Sequence, residues 1–147
     1  MEYGNIYKLS KKFAPPKVDL RKAQILDDYG DESFSKLFVS HINPEDVKRK
    51  EFDYYISVYS FMEPEDLIFY LYPMLNEYKR DNKIEGIQSF MYSMDREIDN
   101  LILKLSREDK EVLKSALQEI WKIGNSNDFN EWYQCKNIQK FIGVTPQ

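Results

Sequence analysis

The sequence predicts a mainly α protein: a compact, single-domain helical bundle of about six helices. Three observations carry that prediction. Apolar residues recur every three or four positions through residues 87–121, the spacing that gathers them on one helical face. Several segments open on a capping residue, or on a proline followed by acids, which suits the free N–H groups and positive dipole of a helix start. The 147 residues are 42% apolar and 31% charged with five Gly and six Pro, enough to bury a core and unlike a disordered or fibrous chain.

In chain order, residues 1–16 read as an N-terminal arm or short helix, set off by "APPK" (14–17), whose paired prolines hold the backbone extended. "KAQILDDYG" predicts a weak helix closed by Gly30. "DESFSKLFVSHI" predicts another, with Asp31 as cap and Phe34, Leu37, Phe38 and Ile42 in helical register. Asn43 as cap, Pro44 at the first position and the acids Glu45 and Asp46 then start a short helix. Over 53–61 the aromatic and β-branched alternation of "DYYISVYSF" fits a strand. With no partner strand in view, a buried helical segment is expected there, and a short extended piece stays open as the alternative.

A new helix begins at Glu63-Pro64 and carries Leu67, Ile68, Leu71, Met74, Leu75 and Tyr78 on a broad apolar face. Pro73 removes one backbone donor from it, so the element is expected to kink or divide near Tyr72. Ile87, Phe90, Met91, Met94, Ile98, Leu101, Ile102 and Leu105 mark the next helix. Ser106 with Asp109 caps the one after, which Gly124 is expected to stop. Asp128 is expected to cap a last aromatic helix carrying Phe129, Trp132, Tyr133, Ile138, Phe141 and Ile142, ended by Gly143.

The totals narrow the function. A net charge of −4 argues against a primary nucleic-acid binder, whose affinity rests on Lys and Arg neutralising phosphates. The charge is uneven: Lys8, Lys11, Lys12, Lys17, Arg21 and Lys22 crowd the first 22 residues, and Asp27, Asp28, Asp31, Glu32, Glu45 and Asp46 the next 24. Eleven Tyr, nine Phe and two Trp are an unusual aromatic content, which fits a Tyr-rich core margin first and binding-surface anchors second. One cysteine, Cys135, leaves no internal disulfide and fits a reducing compartment. With no apolar leader and no apolar run of membrane-spanning length, a cytoplasmic location with no membrane partner is expected.

Reactive groups are scarce. His41 is the sole histidine and falls at a predicted helix end, where the ordinary role is a polar residue near the negative end of the dipole. Cys135 lies on an aromatic helix, the setting of a small buried hydrophobe. No Gly-rich phosphate loop occurs, and "VKRK" (47–50) is bracketed by Glu45, Asp46, Glu51 and Asp53, which favours helix-face ion pairing over nucleic acid. The acids Asp95, Glu97 and Asp99 fit ordinary solvation on a polar helix face. No cofactor is expected.

Residues 61–80, "FMEPEDLIFYLYPMLNEYKR", resemble the signature of a family of small, largely uncharacterised bacterial proteins with a Phe-Leu-Thr-Pro-Glu entry, an aromatic helix and a Tyr-Leu-Pro break. The matching positions are Phe61 to Glu65, then Phe69, Tyr70 and Leu71 before Tyr72-Pro73. Glu63 stands where that family favours Thr, and Tyr72 intervenes before Pro73. "KLSREDKEVLKSALQEIW" (104–121) is similar to the family's closing helix. The resemblance implies a small α-rich domain and brings no reaction with it.

The expected function is therefore a non-enzymatic protein-binding protein, of the immunity type that blocks a toxin or another partner with a basic surface. Its expected contact patch is Asp27, Asp28, Tyr29, Asp31 and Glu32. Two alternatives stay open: a metal-dependent hydrolase built on the same acids, and a regulatory or structural subunit docking through Phe129, Trp132, Tyr133 and Phe141.

Overall fold

The computed structural model describes residues 3–28, 41–126 and 132–144. Among the described residues the chain forms seven α-helices and no strand: α1 (Tyr3–Lys12), α2 (Leu20–Asp27), α3 (Arg49–Tyr54), α4 (Pro64–Arg80), α5 (Ile87–Ile102), α6 (Arg107–Asn125) and α7 (Lys136–Ile142). Short 3₁₀ turns occupy Pro44–Asp46, Tyr59–Phe61 and Trp132–Gln134. The mainly α bundle is as the periodicity predicts.

Helix α4 is the axis of the bundle, packed against α1, α5, α6 and the 3₁₀ turn at Pro44. It is apolar almost all round, with Leu67, Ile68, Phe69, Tyr70, Leu71, Met74, Leu75 and Tyr78 fully buried, the pattern of a helix covered on every side. Pro73 does not divide it. Ser10 of α1 instead enters the backbone ladder one residue before the proline: Tyr72 N–H donates to Ser10 Oγ (3.1 Å), and the hydroxyl donates on to Ile68 O (2.7 Å). A hydroxyl thus bridges the donor and acceptor that an unbroken helix would join directly.

That contact goes with the short helix, not the arm, of the two alternatives for the N-terminal segment. Helix α1 is part of the core, with Ile6, Leu9 and Ser10 buried against α4 and α6. The "APPK" corner after it is pinned by Asp66, whose carboxylate accepts the N–H groups of Lys17 (2.9 Å), Val18 (3.0 Å) and Glu63 (3.1 Å).

Between residues 43 and 61 the predicted elements break up. Asn43 and Asp46 close a capping box on a single turn, and Val47 turns inward before a second start, where Lys48 N–H donates to Glu51 Oε1 (3.1 Å) and α3 begins. The segment 53–61, expected as a buried helical segment, is helical only at its two ends, and no strand forms in it. It ends α3 at Tyr54, crosses irregular backbone and closes as a 3₁₀ turn, burying Tyr55, Val58 and Tyr59.

The second half follows the sequence more closely. Helix α5 buries its predicted stripe, and Ser106 Oγ caps α6 by accepting Asp109 N–H (3.1 Å). Asp109 does not complete a capping box; it pairs with Lys12 of α1 at 2.8 Å. Gly124 is not the stop. Helix α6 runs past it to Asn125, because that glycine gives room for the Trp132 indole: a Cβ there would lie 1.3 Å from Nε1. Nor is residues 129–142 one helix, since the Trp132 turn precedes α7. Gly143 ends α7 in the left-handed region (φ 79°), as predicted. Of the helix predicted over 31–42, His41 and Ile42 are irregular and residues 31–40 lie outside the described residues, as do the Gly30 stop, the Asp128 cap and Phe129.

Candidate functional site

The predicted acidic patch begins at the C-terminal end of α2. Asp19 opens that helix, accepting Lys22 N–H (2.8 Å), and Asp28 closes it, with its backbone N–H on Gln24 O. Asp27 is exposed, and Asp28 is half-buried with Oδ2 accepting from Gln24 Nε2 (3.1 Å). Tyr29, Asp31 and Glu32 lie outside the described residues, so the structure places two of the five predicted contacts. Both carry negative charge at a helix C-terminus, where the dipole disfavours it and no basic residue occupies the last turn.

Sequence reasoning did not single out what surrounds it. Leu26 on α2, Ile42, Tyr54 on α3, Ile56 and Phe61 all stand in solvent, Ile42 at 64% exposure and Leu26 at 45%. The elements bearing them are neighbours. Helix α2 packs on the 3₁₀ turn that ends in Phe61, and His41, beside Ile42, is bonded to α3. Exposed apolar side chains gathered on adjoining elements are the usual mark of a docking surface. No local signal marked them: Leu26 follows Ala23 by three residues, in helical register with the buried Leu20 and Ala23.

Behind this face lies the only histidine. His41 is buried on irregular backbone, not near the end of a described helix as expected of it, with Nδ1 2.9 Å from Tyr70 Oη and Nε2 bonded to Glu51 Oε2. Tyr70 Oη also accepts Leu20 N–H (2.9 Å). One proton arrangement satisfies every member: Nε2–H donates to the Glu51 carboxylate and the phenol donates to Nδ1. Burial pushes the Tyr70 phenol well above its ordinary range, with Asp19 adding to it. The network joins the starts of α2 and α3 and residue 41 to the middle of α4. It ties these elements to the core.

Cys135 is buried, its thiol 4.0 Å from Met91 O and pushed up to about 12, first by burial and then by the charge of Asp95. A thiol so placed is not a ready nucleophile. Asp95 has a structural task that solvation alone does not describe: Oδ1 accepts Ile138 N–H (2.8 Å) and its carbonyl accepts from Asn137 Nδ2 (3.2 Å), so it caps α7 from α5. Arg49 of the "VKRK" cluster donates to Asp81 O (3.1 Å) at the end of α4 and pairs with Asp53 one turn on. Trp132, one of the proposed docking aromatics, is core; Phe141 is half-buried against it, and the Tyr133 side chain lies outside the described set. Among the described residues no three His, Cys, Asp or Glu side chains converge as a ligand set, and no helix is long and apolar enough to cross a membrane.

Against this geometry, no family model, curated protein or solved structure matched the chain.

Proposed function

We propose that this chain is a non-enzymatic protein-binding module, an inhibitor of the immunity type that covers part of a basic partner protein. The reading is supported by five exposed apolar side chains, Leu26, Ile42, Tyr54, Ile56 and Phe61, on segments of which α2 packs on the turn ending in Phe61, and by the acidic end of α2 at Asp27 and Asp28. An apolar centre with an acidic edge matches the usual interface plan, in which buried aromatic and aliphatic anchors supply affinity and rim charges supply steering. The placement of His41 and Cys135 agrees with it: each serves the interior.

Capture of the partner from the source cell, followed by substitution, tests the proposal. Leu26→Asp and Phe61→Asp are expected to release the captured protein, while Leu103→Asp, at an 84% exposed position outside the five named residues, retains it. Asp27→Lys with Asp28→Lys should slow association and flatten its salt dependence. Retention unchanged by Leu26→Asp and Phe61→Asp would remove the proposal.

A further inference from the structure

A second surface, away from that face, has a different plan. Helices α1 and α6 lie side by side, and two cavities of about 460 and 380 Å³ run along their seam, sharing Asn5 and Val112. They form one furrow. Its floor is apolar, with Ile6 and Leu9 buried and Val112 half-buried. Its walls carry opposite charge: α1 contributes Lys8 and Lys12 and has no acid, while α6 contributes Glu108, Asp109, Glu111 and Glu119 against Lys122 alone.

Within one molecule only the end of the furrow is neutralised, by Lys12 on Asp109. Among the described residues, neither Lys8 nor Glu111 makes an ion pair. The two helices run in opposite directions, since Lys12 meets Asp109 while Asn5 lines the stretch that continues to Lys122. Lys8 therefore stands at the level of Val112 and Glu111.

We propose that the furrow is the contact face of a homodimer whose two-fold axis lies along the seam. Such an axis exchanges the walls, laying one copy's α1 over the partner's α6 at the same level. Lys8 then meets the partner's Glu111, and the pairing recurs on the other side of the axis, as an isologous contact requires. The charge on each wall is the complement of the wall it meets, which an axis across the seam would not give. The stretch from Glu108 to Lys122 is roughly 21 Å long at 1.5 Å per residue, so the face is small and the dimer weak, forming at high micromolar concentration and low salt.

Sedimentation of the full chain tests this. The wild type is expected to pass from monomer to dimer with rising concentration, and to return to monomer in high salt. Lys8→Glu alone and Glu111→Lys alone each set like charges together twice per dimer and should weaken association at least tenfold. Mixed in equal amounts, the two variants restore both pairs and should form a one-to-one heterodimer tighter than either homodimer. Both positions are exposed, and the milder Lys8→Gln and Glu111→Gln serve if either reversal disturbs the helical signal. A wild type that stays monomeric throughout overturns the proposal, and so does a dimer indifferent to the substitutions.

Discussion

Pro73 deprives α4 of an amide donor in the middle of the molecule's most buried helix, and the neighbouring ladder is completed by a side chain from 62 residues earlier in the chain, Ser10. The proline was legible in the sequence; its partner was not, since a serine in "KLSKK" reads as an ordinary polar residue of an amphipathic helix. His41 failed for the same reason. Its burial depends on Glu51 and Tyr70, which local pattern cannot bring to it. The Ser10 bridge makes a quantitative prediction. Ser10→Ala leaves a buried N–H and carbonyl to find each other again and should cost about 1–3 kcal/mol in denaturant unfolding. In a Pro73→Ala background the helix is free to close its own ladder, so the same change should cost less. A double-mutant cycle measures the difference: a coupling of at least about 0.5 kcal/mol is expected, and simple additivity would mean that Ser10 and Pro73 act independently.

Where an element begins was easier to read than where it ends, because starts are marked by local chemistry and ends by contacts. Asn43-Pro44, Glu63-Pro64 and Ser106 are all real starts. The turn at Pro44 nevertheless stops after three residues, because buried Val47 turns the chain inward. Gly124, read as a stop, is a gap cut for Trp132. Helix α7 shows the dependence most clearly. It has seven residues, too few to persist on propensity alone, and its cap comes from another helix. Asp95→Ala should therefore cost about 1 kcal/mol and lower hydrogen-exchange protection across residues 136–142, leaving α4 protected. Uniform loss of protection, or none, would show that Asp95 does not hold α7 in place.

At the scale of the whole molecule, periodicity sufficed for the fold class because it is a property of each helix alone. The exposure of residues 26, 42, 54, 56 and 61 did not emerge that way, because it depends on how α2, α3 and the Tyr59–Phe61 turn pack on the rest. The response of stability to acid is another property the sequence does not give, and two adjacent carboxylates at the start of α4 pull it in opposite directions. Hydrogen bonding to Lys104 holds Glu65 below its ordinary value. A group so lowered contributes stability that is present above its unfolded pKa and is lost as pH falls through the folded one. Burial pushes Asp66 up, more than its three accepted N–H groups pull it down. The sign then reverses: its contribution is fully present below the unfolded pKa and is lost as pH rises through the folded one. Unfolding midpoints compared from neutral pH down to about pH 3 separate the two. The advantage of wild type over Glu65→Gln should stay under about 1 kcal/mol, since the pair is partly exposed, and shrink with acid. The advantage over Asp66→Asn should grow as acid is added, because protonation relieves the charge that the corner buries. If both differences shrink together, the Asp66 carboxylate is held by its amide donors more strongly than burial opposes it, and the corner between α1 and α4 is a charge-assisted clamp.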